Sequence, residues 1–142
     1  MKFKIFFLAL AASMFAFTAN AQVKHAKKHS GSSASMARGK IVYSSICLSC
    51  HMATGEGVPR LNPPLINTTY VLGDKTALVK IVLNGFNEDV EINGQKFSNT
   101  MTPHSDLKDQ QIVDVLTYVR KSFGNKASSV TVADVVKARA AK

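Results

Sequence analysis

The sequence predicts an all-α domain of short helices and long loops. Three observations carry that expectation. Apolar residues recur at helical spacing in Leu78, Ile81 and Val82, and again in Ile112, Val115, Leu116 and Val119. Glycine and proline break the stretches between them, and only one short hairpin signal appears. The domain read this way is also loop-rich and short of large core residues.

The chain has 142 residues, enough for one domain of ordinary size. Its start reads as an export signal over residues 1–21. Lys2 and Lys4 precede an apolar run from Ile5 to Phe17, and Ala19-Asn20-Ala21 offers small residues for cleavage before Gln22. The run is short for a membrane span, which needs about 20 residues. An uncleaved anchor is the competing reading, and the cleavage site weighs against it. Residues 22–35 lack apolar periodicity, carry Lys24, Lys27 and Lys28, and read as a flexible basic linker. The domain proper is expected over 36–142.

The formal charge of +9 becomes +7 without Lys2 and Lys4, and +4 without the three linker lysines as well. The remaining basic residues are dispersed, which argues against a nucleic-acid-binding face. A weak preference for an acidic partner surface would act mainly on the on-rate.

Along the domain, Met36 to Ser49 reads as a first helix with Ile41, Val42, Ile46 and Leu48 on its apolar side. Gly39 and Tyr43, four residues apart, share one face. Thr54 to Leu65 is an ordered loop broken by Gly55, Gly57, Pro59, Pro63 and Pro64. Asp74 caps a helix running to Asn84, and Gly85 suits the left-handed position beyond it. Glu91 to Phe97 forms a small hairpin around Asn93-Gly94. Asp109 to Phe123 is the strongest helix, with Asp109 at its positive end and Arg120 and Lys121 at its negative end. Gly124 stops it, and Thr131 caps a last short helix carrying Val132, Val135 and Val136.

The chemistry is concentrated in Cys47-Leu48-Ser49-Cys50-His51. C-x-x-C-H is the attachment signature of c-type haem. Two thiols three positions apart can each bond one vinyl group of a single porphyrin, and the next histidine is then held beneath the iron. Cys47 and Cys50 are the only cysteines, so no other thiol competes for them. A large apolar cofactor filling the centre would also make such a domain easier to understand.

A six-coordinate haem needs a ligand opposite His51, and methionine, histidine and lysine are the candidates. Met52 adjoins the proximal ligand and cannot reach the far face. Met101 lies in the irregular stretch Ser98 to Ser105, stiffened by Pro103 and followed by the strongest helix. His104, three residues on, is the competitor, and Pro103 and Ser105 around it suggest a surface turn.

On Cys47-Leu48-Ser49-Cys50-His51, Pro63-Pro64-Leu65, Met101-Thr102-Pro103 and the helix Ile112 to Arg120, the chain resembles the class I (monohaem) cytochromes c from about Met36 to Arg139. The resemblance implies a cytochrome c fold, with helices and loops around one covalently bound haem c and a small hairpin before the axial methionine. It implies His51 and Met101 as iron ligands, and Cys47, Cys50, Pro63 and Leu65 as haem-binding residues. The Pro63 carbonyl would accept a hydrogen bond from His51, with Pro64 as the fallback, and Leu65 would pack on the haem. Gly39 and Tyr43 would meet Val115 and Tyr118 where the first and last helices cross. Lys108 departs from the family's usual helix-capping serine. The hairpin and the tail from Phe123 to Thr131 are similar to cytochrome c domains that accompany periplasmic quinoprotein dehydrogenases and copper nitrite reductases.

These features together predict an exported periplasmic electron carrier rather than an enzyme. Its expected partners are redox proteins: a periplasmic dehydrogenase or reductase and a terminal oxidase, with no nucleic acid. Two other readings stay open on the sequence. One is a haem enzyme or gas sensor with an open axial site. The other is a haem-free protein using Cys47, Cys50 and His51 for zinc or dithiol chemistry, although no second Cys-His cluster is present.

Overall fold

A computed structural model describes residues 30–141. The expected signal over 1–21, and the linker as far as residue 29, lie outside the described residues. Helix α1 spans Ser30–Val42, so the last six residues of the expected linker are helical. The reason is packing. Ser35 is buried and its Oγ donates to Asp114 Oδ1 at 2.6 Å. Arg38 adds a two-pronged pair to the same carboxylate, Nε to Oδ2 at 2.6 Å and Nη2 to Oδ1 at 2.9 Å. After Val42 the chain widens into a π-helical stretch, Tyr43–Cys47, before one last α-turn, α2, Leu48–His51. Such a stretch shifts the register of whatever follows it and often sits at a functional site. The apolar side read from the sequence is only partly the buried one. Tyr43 is buried, while Ile41 is 67% exposed.

The other helices are α3 (Thr69–Leu72), α4 (Lys75–Asn84), α5 (Asp109–Lys121) and α6 (Val132–Ala140). Asp74 caps α4 by accepting from the Ala77 N–H at 2.7 Å. Gly85 ends it at φ 74° and ψ −172°, a region beyond the left-handed helix that is essentially reserved for glycine. The hairpin pairs β1 (Val90–Ile92) with β2 (Gln95–Phe97), and Asn93 and Gly94 both take positive φ in the turn. Thr131 and Asp134 cap α6 reciprocally. Helix α6 buries Val135 and Ala138 but leaves Val132 and Val136 exposed.

Helix α5 starts at Asp109 despite Lys108, because the Gln111 side chain accepts from the Lys108 backbone N–H at 3.0 Å. Arg139 of α6 secures the same end, pairing with Asp109 at 2.8 Å and donating to the Leu107 carbonyl at 2.6 Å. The helix ends at Lys121, two residues before the expected Phe123. Phe123 turns to φ 57°, which lets its ring meet Tyr43 and Tyr118 at centroid distances of 5.4 and 5.6 Å.

Helices α1 and α5 cross at Gly39. A methyl group there would run into the Asp114 carbonyl and lie 2.8 Å from Tyr118 Cβ. Tyr43 stacks at an angle on Tyr118, 5.4 Å between centroids. The expected contact therefore forms through Gly39, Tyr43 and Tyr118. Val115 lines the central cavity.

Two predictions follow from this crossing. Gly39→Ala forces the helices apart and should lower stability by about 1–3 kcal/mol, the usual range for overpacking; chemical denaturation of the purified protein measures it. The second concerns Asp114. Burial pushes its carboxyl up, but the hydrogen bonds from Arg38, Ser35 and Gln110 outweigh burial and hold it below the usual carboxylate range. Its folded-state value thus lies below the unfolded one, so its stabilisation is full above about pH 4 and is lost as pH falls through the folded-state value. Asp114→Asn should be less stable than wild type at pH 7, with the gap closing in acid. Stability curves that stay parallel down to low pH would show that the charge at this position contributes nothing.

Candidate haem site

The helices and loops enclose a cavity of about 320 Å³ with largely apolar walls. Helix α5 lends it Val115, Leu116 and Val119, and α4 lends Leu78, Ile81 and Val82. The chemistry-bearing residues reach it from two segments far apart in the chain. The π-stretch and α2 bring Cys47, Cys50 and His51 to its wall, and the loop between β2 and α5 brings Met101.

Cys47 is half-buried and Cys50 exposed. Burial, helped by the neighbouring Cys50, pushes the Cys47 thiol up to about 11. Reactive redox cysteines have depressed values, and the Cys47 thiol departs in the opposite direction.

His51 Nδ1 lies 3.1 Å from the Pro63 carbonyl oxygen. A carbonyl only accepts, so Nδ1 carries the proton and donates it. That tautomer leaves the Nε2 lone pair free for a metal. The bond comes from Pro63 and not from Pro64. Burial lowers the imidazole's pKa, with the Pro63 hydrogen bond opposing it, which favours the neutral form a metal requires.

The loop after His51 is held as closely as the motif. Met52 leaves the helix at φ 63°, and its carbonyl accepts from the Tyr43 hydroxyl at 2.6 Å. Gly55 passes under the Phe123 ring, where a Cβ would lie 2.7 Å from the ring carbons. Leu65 closes the loop by donating its N–H to the Gly55 carbonyl at 2.7 Å, and it lines the cavity.

Met101 is half-buried and packs against the core. Its backbone is pinned to Phe86 by a pair of hydrogen bonds, Met101 N to Phe86 O at 2.7 Å and Phe86 N to Met101 O at 3.0 Å. His104 departs from the expected surface turn. It is half-buried, lines the same cavity, and donates its backbone N–H to the Val82 carbonyl at 2.9 Å.

Two buried polar residues that support the site are not legible as such in the sequence. The Asn125 amide bridges the Leu65 and Val119 carbonyls at 2.8 and 2.9 Å, while its oxygen accepts from the Asn67 N–H at 2.8 Å. Arg120 does more than complement the α5 dipole. It is buried, and its guanidinium donates to the carbonyls of Val71, Gly73 and Ser128. The tail from Phe123 to Asn125 was the one available signal, and nothing in it says which carbonyls Asn125 reaches.

The donor set suits a haem. Two thiols, an imidazole with a free nitrogen and a thioether line one apolar cavity, as a carbon-rich macrocycle with two vinyl groups requires. Among the described residues no group of three or more His, Cys, Asp or Glu side chains is arranged to hold a bare metal ion, so the zinc reading finds no donor set there. Nor is any described helix long and apolar enough to cross a membrane.

Comparison with known proteins agrees with the geometry. The Cytochrome c family profile matches residues 36–123. The chain is 28% identical to cytochrome c-552 of Thermus thermophilus over 99 residues, covering 67% of this chain and 66% of that protein. It is 39% identical over 113 residues to the cytochrome c subunit of a quinone-dependent alcohol dehydrogenase from Gluconacetobacter polyoxogenes. It is also 34% identical over 105 residues to the gluconate 2-dehydrogenase cytochrome c subunit of Pantoea cypripedii. Those two matches cover 78% and 71% of this chain but only 24% of either subunit, so the chain spans about a quarter of their length. An apolar cavity that gathers the C-x-x-C-H thiols and imidazole, within a span matched by the family profile, establishes that this chain belongs to the cytochrome c family of electron-transfer proteins that carry covalently bound haem c.

Proposed function

We propose that this chain is an exported monohaem cytochrome that passes single electrons between redox proteins through a haem ligated by His51 and Met101. One observation carries the reading: His51, its Nδ1 occupied by the Pro63 carbonyl, and Met101, pinned to Phe86, line one apolar cavity. When bound, the haem supplies a one-electron iron couple. The protein's residues do the rest. Cys47 and Cys50 would anchor the macrocycle through thioether bonds. His51 would hold the iron through Nε2, and its hydrogen bond to Pro63 would raise its basicity as a ligand. The Met101 sulfur would serve as the second ligand, and a thioether there would favour the ferrous state and raise the potential. Leu65 and the apolar side chains of α4 and α5 keep water from the iron.

Export follows from the 1–21 signal reading, and covalent haem attachment outside the bacterial cytoplasm agrees with it. The two dehydrogenase subunits among the relatives make a periplasmic dehydrogenase the favoured electron donor. The domain's net positive charge would favour an acidic docking face on such a partner. An open-site enzyme or gas sensor would need the Met101 position empty, and the core packing of Met101 against the cavity wall argues against it.

The deciding experiment is the visible spectrum of the chain matured with haem, taken native and after denaturation. Haem that stays with the denatured polypeptide, with a low-spin ferric spectrum and the weak far-red sulfur-to-iron band, is the expected result. A high-spin ferric spectrum would instead favour the open-site reading. Replacing both Cys47 and Cys50 by alanine should leave no haem on the denatured chain. Met101→Ala should lower the reduction potential by on the order of 0.1 V, a modest part of the range that axial ligands command, and should remove the far-red band. A variant with the wild-type potential and band would mean that Met101 is not the ligand.

A further inference from the structure

The segment that presents Met101 also presents His104 to the same cavity, and the proposed ligation leaves that imidazole unused. The segment is fastened to the end of α4 at three points. Met101 is paired with Phe86 by two backbone hydrogen bonds. Pro103 packs over Gly85, where a Cβ would lie 3.0 Å from the proline Cδ. The His104 N–H donates to the Val82 carbonyl at 2.9 Å, and the His104 carbonyl accepts from Leu107 at 3.3 Å. A strap held this way keeps its backbone beside the cavity even when one side chain lets go. The polar neighbours Asn99, Thr100 and Thr102 also line this wall, but none carries a donor with the iron affinity of an imidazole.

We infer that His104 is a reserve axial ligand: when the Met101 thioether leaves the iron, the His104 imidazole occupies the same coordination position and keeps the haem six-coordinate. This rests on the His51/Met101 reading. The exchange breaks one iron–sulfur coordinate bond and forms one iron–nitrogen bond. A neutral imidazole brings its own lone pair, so no electron or proton changes hands. Its consequence is a carrier that stays closed to small ligands when its strap is disturbed, at the expense of its potential, because bis-histidine ligation lowers that potential relative to histidine-methionine.

The test compares the haem-loaded variants Met101→Ala and Met101→Leu with the same substitutions combined with His104→Ala. Leucine conserves the apolar volume and guards against a failure to fold. The expected result is a low-spin ferric spectrum without the far-red sulfur band in the single variants, and a high-spin spectrum in the doubles. Azide should bind the doubles at least about tenfold more tightly, because in the singles only the fraction of molecules with His104 displaced is competent to bind it. High-spin single variants would overturn the inference and leave Met101 ligation standing. Low-spin spectra in both singles and doubles would also overturn it, since some other group would then be the reserve. Single variants that keep the sulfur band would remove Met101 ligation and the inference together.

Discussion

The close crossing of α1 and α5 at Gly39 is the constraint on which the rest of this protein depends. It brings Tyr43 against Tyr118 and Phe123 and lays Ser35 and Arg38 on Asp114. Through Tyr43 it reaches the Met52 carbonyl, the first backbone group after the C-x-x-C-H motif. The motif is therefore not an isolated loop feature. Its position is set by two helices whose ends are about 70 residues apart in sequence.

Helix α5 works on more than one side at once. Gly39 meets the Asp114 backbone and Tyr118, whereas Val115, Leu116 and Val119 form part of the cavity wall. Core and cofactor site are thus the same structure seen from two directions. A domain with few large side chains gains most from this arrangement, because apolar wall area is worth burying only against something. The covalent haem of this family supplies that surface.

The loops that close the site carry little regular hydrogen bonding of their own, and buried polar groups hold them. Asn125 uses both amide hydrogens and its oxygen to bind the segment after Leu65 to the end of α5. Arg120 collects three carbonyls around α3 and the turn before α6. Burial pulls the Arg120 pKa down, while the charges of Asp134 and Asp74 oppose that shift. Removing either side chain would take a partner from one buried carbonyl, that of Val71 for Arg120 or of Val119 for Asn125, which is costly away from water. These residues position the haem pocket without touching the chemistry.

Local patterns and local chemistry were legible in the sequence by itself. The helices around Leu78 and Ile112, the Asn93-Gly94 turn, the Asp74 and Thr131 caps and the C-x-x-C-H attachment signature depend only on neighbouring residues, so one-dimensional spacing suffices to read them. The matched family then followed from these motifs in their order. Tertiary structure alone decided what depends on contacts between distant segments. Helix α1 takes in Ser35 because Asp114 is there to receive its hydroxyl. Ile41 faces outward because the side of α1 that packs on α5 is the one carrying Ser35 and Gly39, continued by Tyr43. Helix α5 stops at Lys121 because Phe123 must fold back onto Tyr43. Pro63 rather than Pro64 meets His51, Asn125 clamps Leu65, and His104 lines the cavity half-buried. Each is a choice between locally acceptable conformations, and only the packing energy of the assembled core separates them.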